Sequence, residues 1–305
     1  MGTSLAYASL IRGTAREVAL YDINAAKVEA EVLDLAHGTQ FTGTSRITGG
    51  SDIDVLSEAN VVVITAGARQ HPGQSRLDMA GVNVEILREL MPKLVERAPD
   101  AIYVLVTNPN DVLAVAAQQF SGLPSSRVFS SGTVLDSSRL RWMLAERVGV
   151  AISNVHALIV GEHGDSEFAL WSQARIGPVA LADWMESSAG RTAAFAESEF
   201  DEIAENVKNV AYRVIEGKGS TNYAIGLSGA RIVEAILRDE GAVLPVSSVL
   251  TDYRGVSRVA LSVPSVVDAR GVARVIDVPF SDKEQALFEK SAATLRASLD
   301  SLKLR

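Results

Sequence analysis

Short, uninterrupted β-branched runs set between helical patterns constrain this chain most. Val61-Val62-Val63-Ile64 and Ile102 to Val106 are apolar throughout rather than alternating, as strands covered by helices on both faces must be. Glu17 to Tyr21 reads as another strand, ending at Asp22. Asn24 then caps a helix that carries Val28, Val32 and Leu35 on one face, with Gly38 after its end. Beyond the turn Thr65-Ala66-Gly67-Ala68, Val82, Ile86, Leu90 and Leu94 recur at four-residue steps and predict a long helix. Thr107-Asn108-Pro109 stops the next strand, because proline has no N–H to give the ladder. This alternation predicts an α/β fold built on a doubly wound parallel sheet.

From about Ser131 the texture changes. A helix with Leu140, Leu144 and Val148 leads to an apolar strand from Val155 to Val160. A polar run, Gly161 to Glu167, comes next, followed by long helical segments through about Arg238. Val243 to Val278 reads as antiparallel strands with turns at Tyr253-Arg254-Gly255 and Ala269-Arg270-Gly271. Ser281 and Glu284 form a capping box that opens a last helix carrying Leu287, Leu295, Leu299 and Leu302. No repeat or low-complexity tract interrupts the pattern. The 305 residues fit two domains, 1–130 and 131–305, with a helix at about 223–240 packing back on the first.

Composition narrows the function classes. Lys and Arg total 29 against 37 Asp and Glu, a net charge of −8, the wrong sign for a general nucleic-acid or acidic-membrane binder. With no cysteine, disulfides, thiolate catalysis and cysteine-held metals are excluded. The apolar runs are too short to span a bilayer, and no charged region followed by a long apolar stretch opens the chain. Met1-Gly2 begins like an acylation site, but Ala6 stands where Ser or Thr is needed. A soluble protein is expected, and a cytoplasmic location fits.

Four places carry candidate chemistry. Gly2 precedes a helical run (Leu5, Ala6, Leu10) that ends near Gly13, and Asp22 follows it by the spacing at which a dinucleotide fold places the acid that takes the ribose hydroxyls. An ordinary helix-to-strand turn ending in Asp is the alternative. Gly161-Glu162-His163-Gly164-Asp165-Ser166-Glu167 follows a strand and leaves His163 free for proton transfer, unless it is a solvated loop residue. Among His37, His71, His156 and His163 no pair has metal-ligand spacing, so no metal is expected. Asp136 and Arg139 share a helical face: a surface ion pair, or a carboxylate for an imidazolium beside a guanidinium that grips a substrate carboxylate. The loop from Gly67 to Arg76 follows a strand's carboxyl end, where open α/β sheets bind ligands.

Five segments in order and register, TAGARQHPGQSRLDM, VTNPNDVL, SGTVLDSSRLR, GEHGDSE and KGSTNYAIG, resemble the lactate/malate dehydrogenase family, on the side of its bacterial, fructose 1,6-bisphosphate-activated lactate enzymes. The resemblance spans essentially the whole chain. It implies a Rossmann-type sheet over 1–130, a dinucleotide-binding domain, an α+β substrate domain over 131–305, and NAD-dependent interconversion of pyruvate and L-lactate. His163 looks like the acid/base group, Asp136 like its partner, Arg139 like the substrate-carboxylate anchor, and Arg76 like a mobile-loop arginine that polarises the carbonyl. Asn108 and Thr221 resemble substrate and nicotinamide contacts, and Ile225 resembles the apolar wall behind the nicotinamide. Gly2, Asp22, Thr65, Ala66 and Gly67 resemble the rest of the cofactor site, with Asp22 favouring NAD over NADP. Gln70 stands where malate enzymes resemble one another in carrying arginine, so a neutral substrate end is implied and a malate or broader 2-hydroxy-acid dehydrogenase is the second choice. Arg141 and His156 resemble the phosphate-binding pair of a fructose 1,6-bisphosphate effector site, in a homotetramer.

In one respect the chain departs from the family. Gly2 matches the third glycine of the G-x-G-x-x-G turn, while the first strand and first two glycines are absent. That strand belongs between those ending at Asp22 and at Thr65. The written sequence is therefore expected to be shorter than the working protein, through a valine codon read as the start or through trimming. A catalytically silent relative acting as a binding protein is the reading such a loss would favour.

Overall fold

The computed structural model describes residues 1–43, 45–68, 76–186, 192–193 and 195–304. Helix α1 (Gly2–Arg12) closes on Gly13 in the left-handed conformation and feeds β1 (Glu17–Tyr21). Helix α2 (Ala25–Gly38) is capped by Asn24, whose side chain accepts the Lys27 N–H, as the sequence predicts. Then come β2 (Arg46–Gly50), β3 (Val61–Ile64), α3 (Arg76–Arg97), β4 (Ile102–Leu105), α4 (Asn110–Ser121) and β5 (Val128–Ser130). The sequence reading omits β2. Its residues Arg46-Ile47-Thr48-Gly49-Gly50 carry a single aliphatic side chain, and parallel pairing with β1 from Glu17↔Arg46 to Tyr21↔Gly50 overrides weak local propensity.

Strands β3, β4 and β5 pair in parallel, whereas β1 and β2 form a sheet of their own. A cavity of about 2600 Å³ separates the two sheets, with Val18 to Tyr21 on one wall and Val61 to Ile64 on the other. It lies where the family resemblance expects a further strand.

The second half begins with α5 (Val134–Val148). The expected Val155–Val160 strand is two, β6 (Val155–His156) and β7 (Ile159–Val160). They turn to different partners: β7 pairs with β8 (Phe168–Ala169) and β6 with β9 (Arg175–Ile176). β10 (Val179–Ala180), β11 (Met185–Glu186) and β12 (Thr192–Ala193) continue in short antiparallel pairs. Helix thus starts at α6 (Glu197–Lys218) rather than directly after Glu167, because Gly177-Pro178 and strand pairing interrupt it. Next, α7 (Tyr223–Leu237) packs against α1. The tail strands are β13 (Ala242–Leu244), β14 (Ser247–Val249), β15 (Ala260–Ser262), β16 (Ser265–Asp268) and β17 (Gly271–Val275), and α8 (Asp282–Ser301) begins at the predicted Ser281–Glu284 capping box. β14 joins β5 antiparallel at Ser247↔Ser130, giving a five-stranded sheet in the order β15-β14-β5-β4-β3.

That sheet is covered on both sides, which explains its apolar runs. Tyr103 and Leu105 pack with Met91, Leu113 and Phe288 from α3, α4 and α8, while Ile102 and Val104 meet Ile232 and Ile236 of α7. On α3 the buried stripe is Val84, Leu87, Met91 and Leu94; Val82 is exposed, and Ile86 and Leu90 border the cavity. The long helix expected from Val82, Ile86, Leu90 and Leu94 is α3; of these four only Leu94 lies on its buried stripe, because a strict four-residue step drifts about 40° around the axis at every turn.

Candidate functional site

The turn after β3 is tied to its neighbours by side chains. Thr107 Oγ1 donates to the Ala66 carbonyl at 2.8 Å. Asn83 of α3 accepts the Ala68 N–H at 2.7 Å and donates to the Asn108 carbonyl at 2.9 Å. The Asn108–Pro109 peptide is cis. Helix α1 starts against this turn: a Cβ on Gly2 would stand 2.8 Å from Thr65 Oγ1, so only glycine lets the helix end approach. Gly2, Asp22, Thr65, Ala66, Gly67, Asn108 and Thr221 all line the large cavity. Ile225, in the first turn of α7, is half-buried and does not line it. Asp22 accepts Lys27 Nζ at 2.7 Å and the Asn24 N–H at 3.0 Å, and both contacts hold its carboxyl below the usual range.

These residues fit a dinucleotide. A helix N-terminus offers unbonded N–H groups and a partial positive charge to a pyrophosphate. The ionised Asp22 offers acceptors to a ribose diol.

A second cluster lies at the start of α5. Asp136 is buried; its Oδ2 lies 2.7 Å from His163 Nδ1, and its Oδ1 accepts Arg139 Nη1 at 2.6 Å. The loop Gly161 to Glu167 joins β7 to β8, whose Val160↔Phe168 pairing closes it. Gly161, with φ of 91°, exchanges backbone hydrogen bonds with Ser262, and Glu162 N–H donates to Ser291 Oγ at 2.7 Å. His163 N–H donates to Asp111 Oδ2 at 2.6 Å. Both ends of the histidine are thereby held, the backbone by α4 and the ring by α5. Because Asp111 follows Asn108 by three residues, one helix start joins the cavity wall to the histidine.

The electrostatics follow from burial and pairing. Burial opposes the imidazolium, but the Asp136 carboxylate, backed by Glu167 and Asp111, outweighs it and raises the His163 pKa to about 9. Asp136 itself is held below the usual range: His163 and Arg139 overcome the cost of burial. Burial pushes Asp111 up to about 6. With Asp136 ionised, His163 Nδ1 is the donor in their hydrogen bond, so Nε2 is left to exchange a proton with a ligand.

The two readings of Asp136 and Arg139 merge: the ion pair exists, but it is largely buried and shared with an imidazole. Arg141 Nε donates to the Ala157 carbonyl at 2.9 Å, next to the exposed His156, and burial lowers the arginine's pKa. Gln70 lies outside the described residues, and of Arg76 only its place as the first residue of α3 is described. Asp111 and Glu167 escape the sequence reading. Asp111 looks there like an ordinary acid of a helix's first turn, and Glu167 like the polar end of a loop. Asp136, His163 and Glu167 place donor atoms within 4.8 Å of one another, but the carboxylate already shares a proton with the ring and receives a guanidinium.

An open α/β sheet with a nucleotide cleft, joined to a carboxylate–imidazole–guanidinium cluster, defines the class of dinucleotide-dependent dehydrogenases with an acid/base histidine. The lactate/malate dehydrogenase NAD binding domain matches residues 1–130, and the alpha/beta C-terminal domain of the same family matches residues 133–304. The chain belongs to the lactate/malate dehydrogenase family. An L-lactate dehydrogenase of Bifidobacterium animalis subsp. lactis is 51% identical over 97% of this chain and 92% of its own. One from Synechococcus is 41% identical over 99% and 96%. Among solved structures, the minor L-lactate dehydrogenase of Enterococcus mundtii superposes with a TM-score of 0.95 at 40% identity, covering 100% of this chain and 96% of that one.

Proposed function

We infer that this chain interconverts pyruvate and L-lactate, with NAD as its cofactor and the Asp136–His163 pair as its proton-transfer device. The observation that carries the reading is the 2.7 Å contact between Asp136 Oδ2 and His163 Nδ1, on a histidine whose backbone is anchored three residues beyond the cavity wall at Asn108. Bound NADH supplies the hydride that reduces the carbonyl carbon. His163 delivers the proton to the carbonyl oxygen through Nε2 and takes it back in lactate oxidation. Asp136 stabilises the imidazolium and fixes the ring's tautomer. Arg139 grips the substrate carboxylate with its guanidinium fork, which its ion pair with Asp136 already orients. Arg76 closes over the site and polarises the carbonyl, and water leaves as it does so. Asp22 takes the adenosine ribose hydroxyls and repels a 2′-phosphate, while Asn108 and Thr221 border the nicotinamide end.

Residues 1–130 serve as the dinucleotide-binding part and 131–305 as the substrate part, with α7 joining them. Gln70 gives the substrate's far end a neutral neighbour, suited to a methyl group. Arg141 and His156 form an effector site for fructose 1,6-bisphosphate at an interface of a homotetramer, supported by the hydrogen bond that places Arg141 beside the residue following His156. No described helix is long and apolar enough to cross a membrane, which agrees with a cytoplasmic enzyme. Following NADH absorbance with pyruvate and then with oxaloacetate tests the function. Rapid turnover of pyruvate is expected; preference for oxaloacetate, or no turnover of either, overturns it.

A further inference from the structure

The loop that carries His163 buries one more acid. Glu167 sits four residues beyond the histidine, where the loop enters β8, and its N–H donates to the Gly164 carbonyl. Its side chain is only 3% exposed, and one carboxyl oxygen lies 3.9 Å from His163 Nδ1. The other oxygen, Oε1, is buried with no hydrogen-bond partner among the described residues. A packing position gains nothing from such a group, since an unpaired buried carboxyl costs free energy that a neutral side chain of the same shape avoids. The charged groups acting on it are Asp136 and Arg139 from α5, His163 from its own loop and Lys208 from α6. His163 also feels Asp111 from α4.

We propose that Glu167 is a positioning residue for proton transfer, a second carboxyl set behind Asp136 against the His163 ring that keeps the imidazole protonated at alkaline pH. Burial, and then repulsion from Asp136, push the Glu167 carboxyl up to about 8. Below that pH it is neutral, and the Asp136 and Asp111 carboxylates favour the imidazolium without it. Above it, the added anion weakens the imidazolium as an acid but retains its proton. Pyruvate reduction, which needs that proton, therefore declines at higher pH and more gradually than Asp136 and Asp111 would give without Glu167.

The proposal rests on His163 being the acid, and two variants keep the questions apart. In Glu167→Gln the alkaline limb of kcat/KM for pyruvate should move down by about one pH unit, the scale of a shift caused by one nearby charge. The value at pH 9 relative to pH 6 should then fall about fivefold beyond the wild-type ratio. An unmoved limb, or a loss equal at every pH, overturns the role whatever the absolute activity. If that variant does not fold, proton NMR titration of the wild-type histidines decides, the His163 ring signal being identified by its loss in His163→Asn. Two steps support the coupling; a single step overturns it. A His163→Asn enzyme of near wild-type activity would instead remove the underlying functional reading.

Discussion

Asp111 of α4 accepts the backbone N–H of His163 at 2.6 Å, so the helix that starts at the cavity wall also fixes the loop carrying the histidine. The contact is partly buried and its acceptor is a carboxylate, which puts it among the stronger hydrogen bonds. Asp111→Asn replaces a carboxylate by an amide that must turn its oxygen to the same N–H. A loss of about 1–3 kcal/mol in unfolding free energy, with a lower kcat for pyruvate reduction, is the expected result. Chemical denaturation and steady-state kinetics on one preparation check it, and wild-type values for both would show that the contact does not position the histidine.

The raised pKa of His163 gives opposite signs to the two directions of reaction. Reduction of pyruvate needs the imidazolium, so kcat/KM should hold through neutral pH and fall as pH rises through about 9. Oxidation of lactate needs the neutral ring and should rise over the same interval. For the fold the sign is the same as for reduction. A histidine whose pKa is raised on folding adds stability fully present below about 6.5 and lost as pH rises through about 9. Paired pH–rate profiles measure the first effect, and a reduction limb near the ordinary imidazole value would contradict it.

Arg139→Lys keeps the charge but loses the planar fork. KM for pyruvate should rise by at least about tenfold, because a single ammonium cannot make two parallel hydrogen bonds to a carboxylate. Asp136 is buried beneath this position, so some loss of stability should accompany it. Steady-state kinetics give the answer, and an unchanged KM would place the substrate carboxylate elsewhere.

Gln70→Arg would bring a cation to the substrate's far end. The ratio of kcat/KM for oxaloacetate over pyruvate should rise by about two orders of magnitude, since a buried second carboxylate is costly without a partner and favourable with one. Equal ratios in variant and wild type would refute the assignment.

Much of this fold is legible from local pattern because its sheet is covered on both faces. Val61 to Ile64 and Ile102 to Leu105 can be read directly for that reason, as can the Asn24 cap and the Ser281–Glu284 capping box, where each side chain acts on its own helix. Strand β2 was hidden because Arg46 to Gly50 is held by its partner β1 rather than by its own residues. The short strands after Phe168 were hidden likewise, since two-residue pairings leave no periodicity. In the candidate site, Asp136, Arg139 and His163 stood in recognisable segments and come together. Asp111 reaches the His163 backbone amide across 52 residues, which no spacing rule reveals, and Glu167, four residues beyond His163, meets the ring only because the loop folds it inward.

The Asp136–His163 pair as the proton-transfer device is tested most directly by kcat for pyruvate reduction in His163→Asn at pH 7, with NADH affinity followed by fluorescence. A fall of about 10³ or more is expected, from lost proton donation and carbonyl polarisation together, with NADH affinity within about threefold because most of the proposed cofactor residues line a cavity that His163 does not border. A kcat within tenfold of wild type would contradict the account.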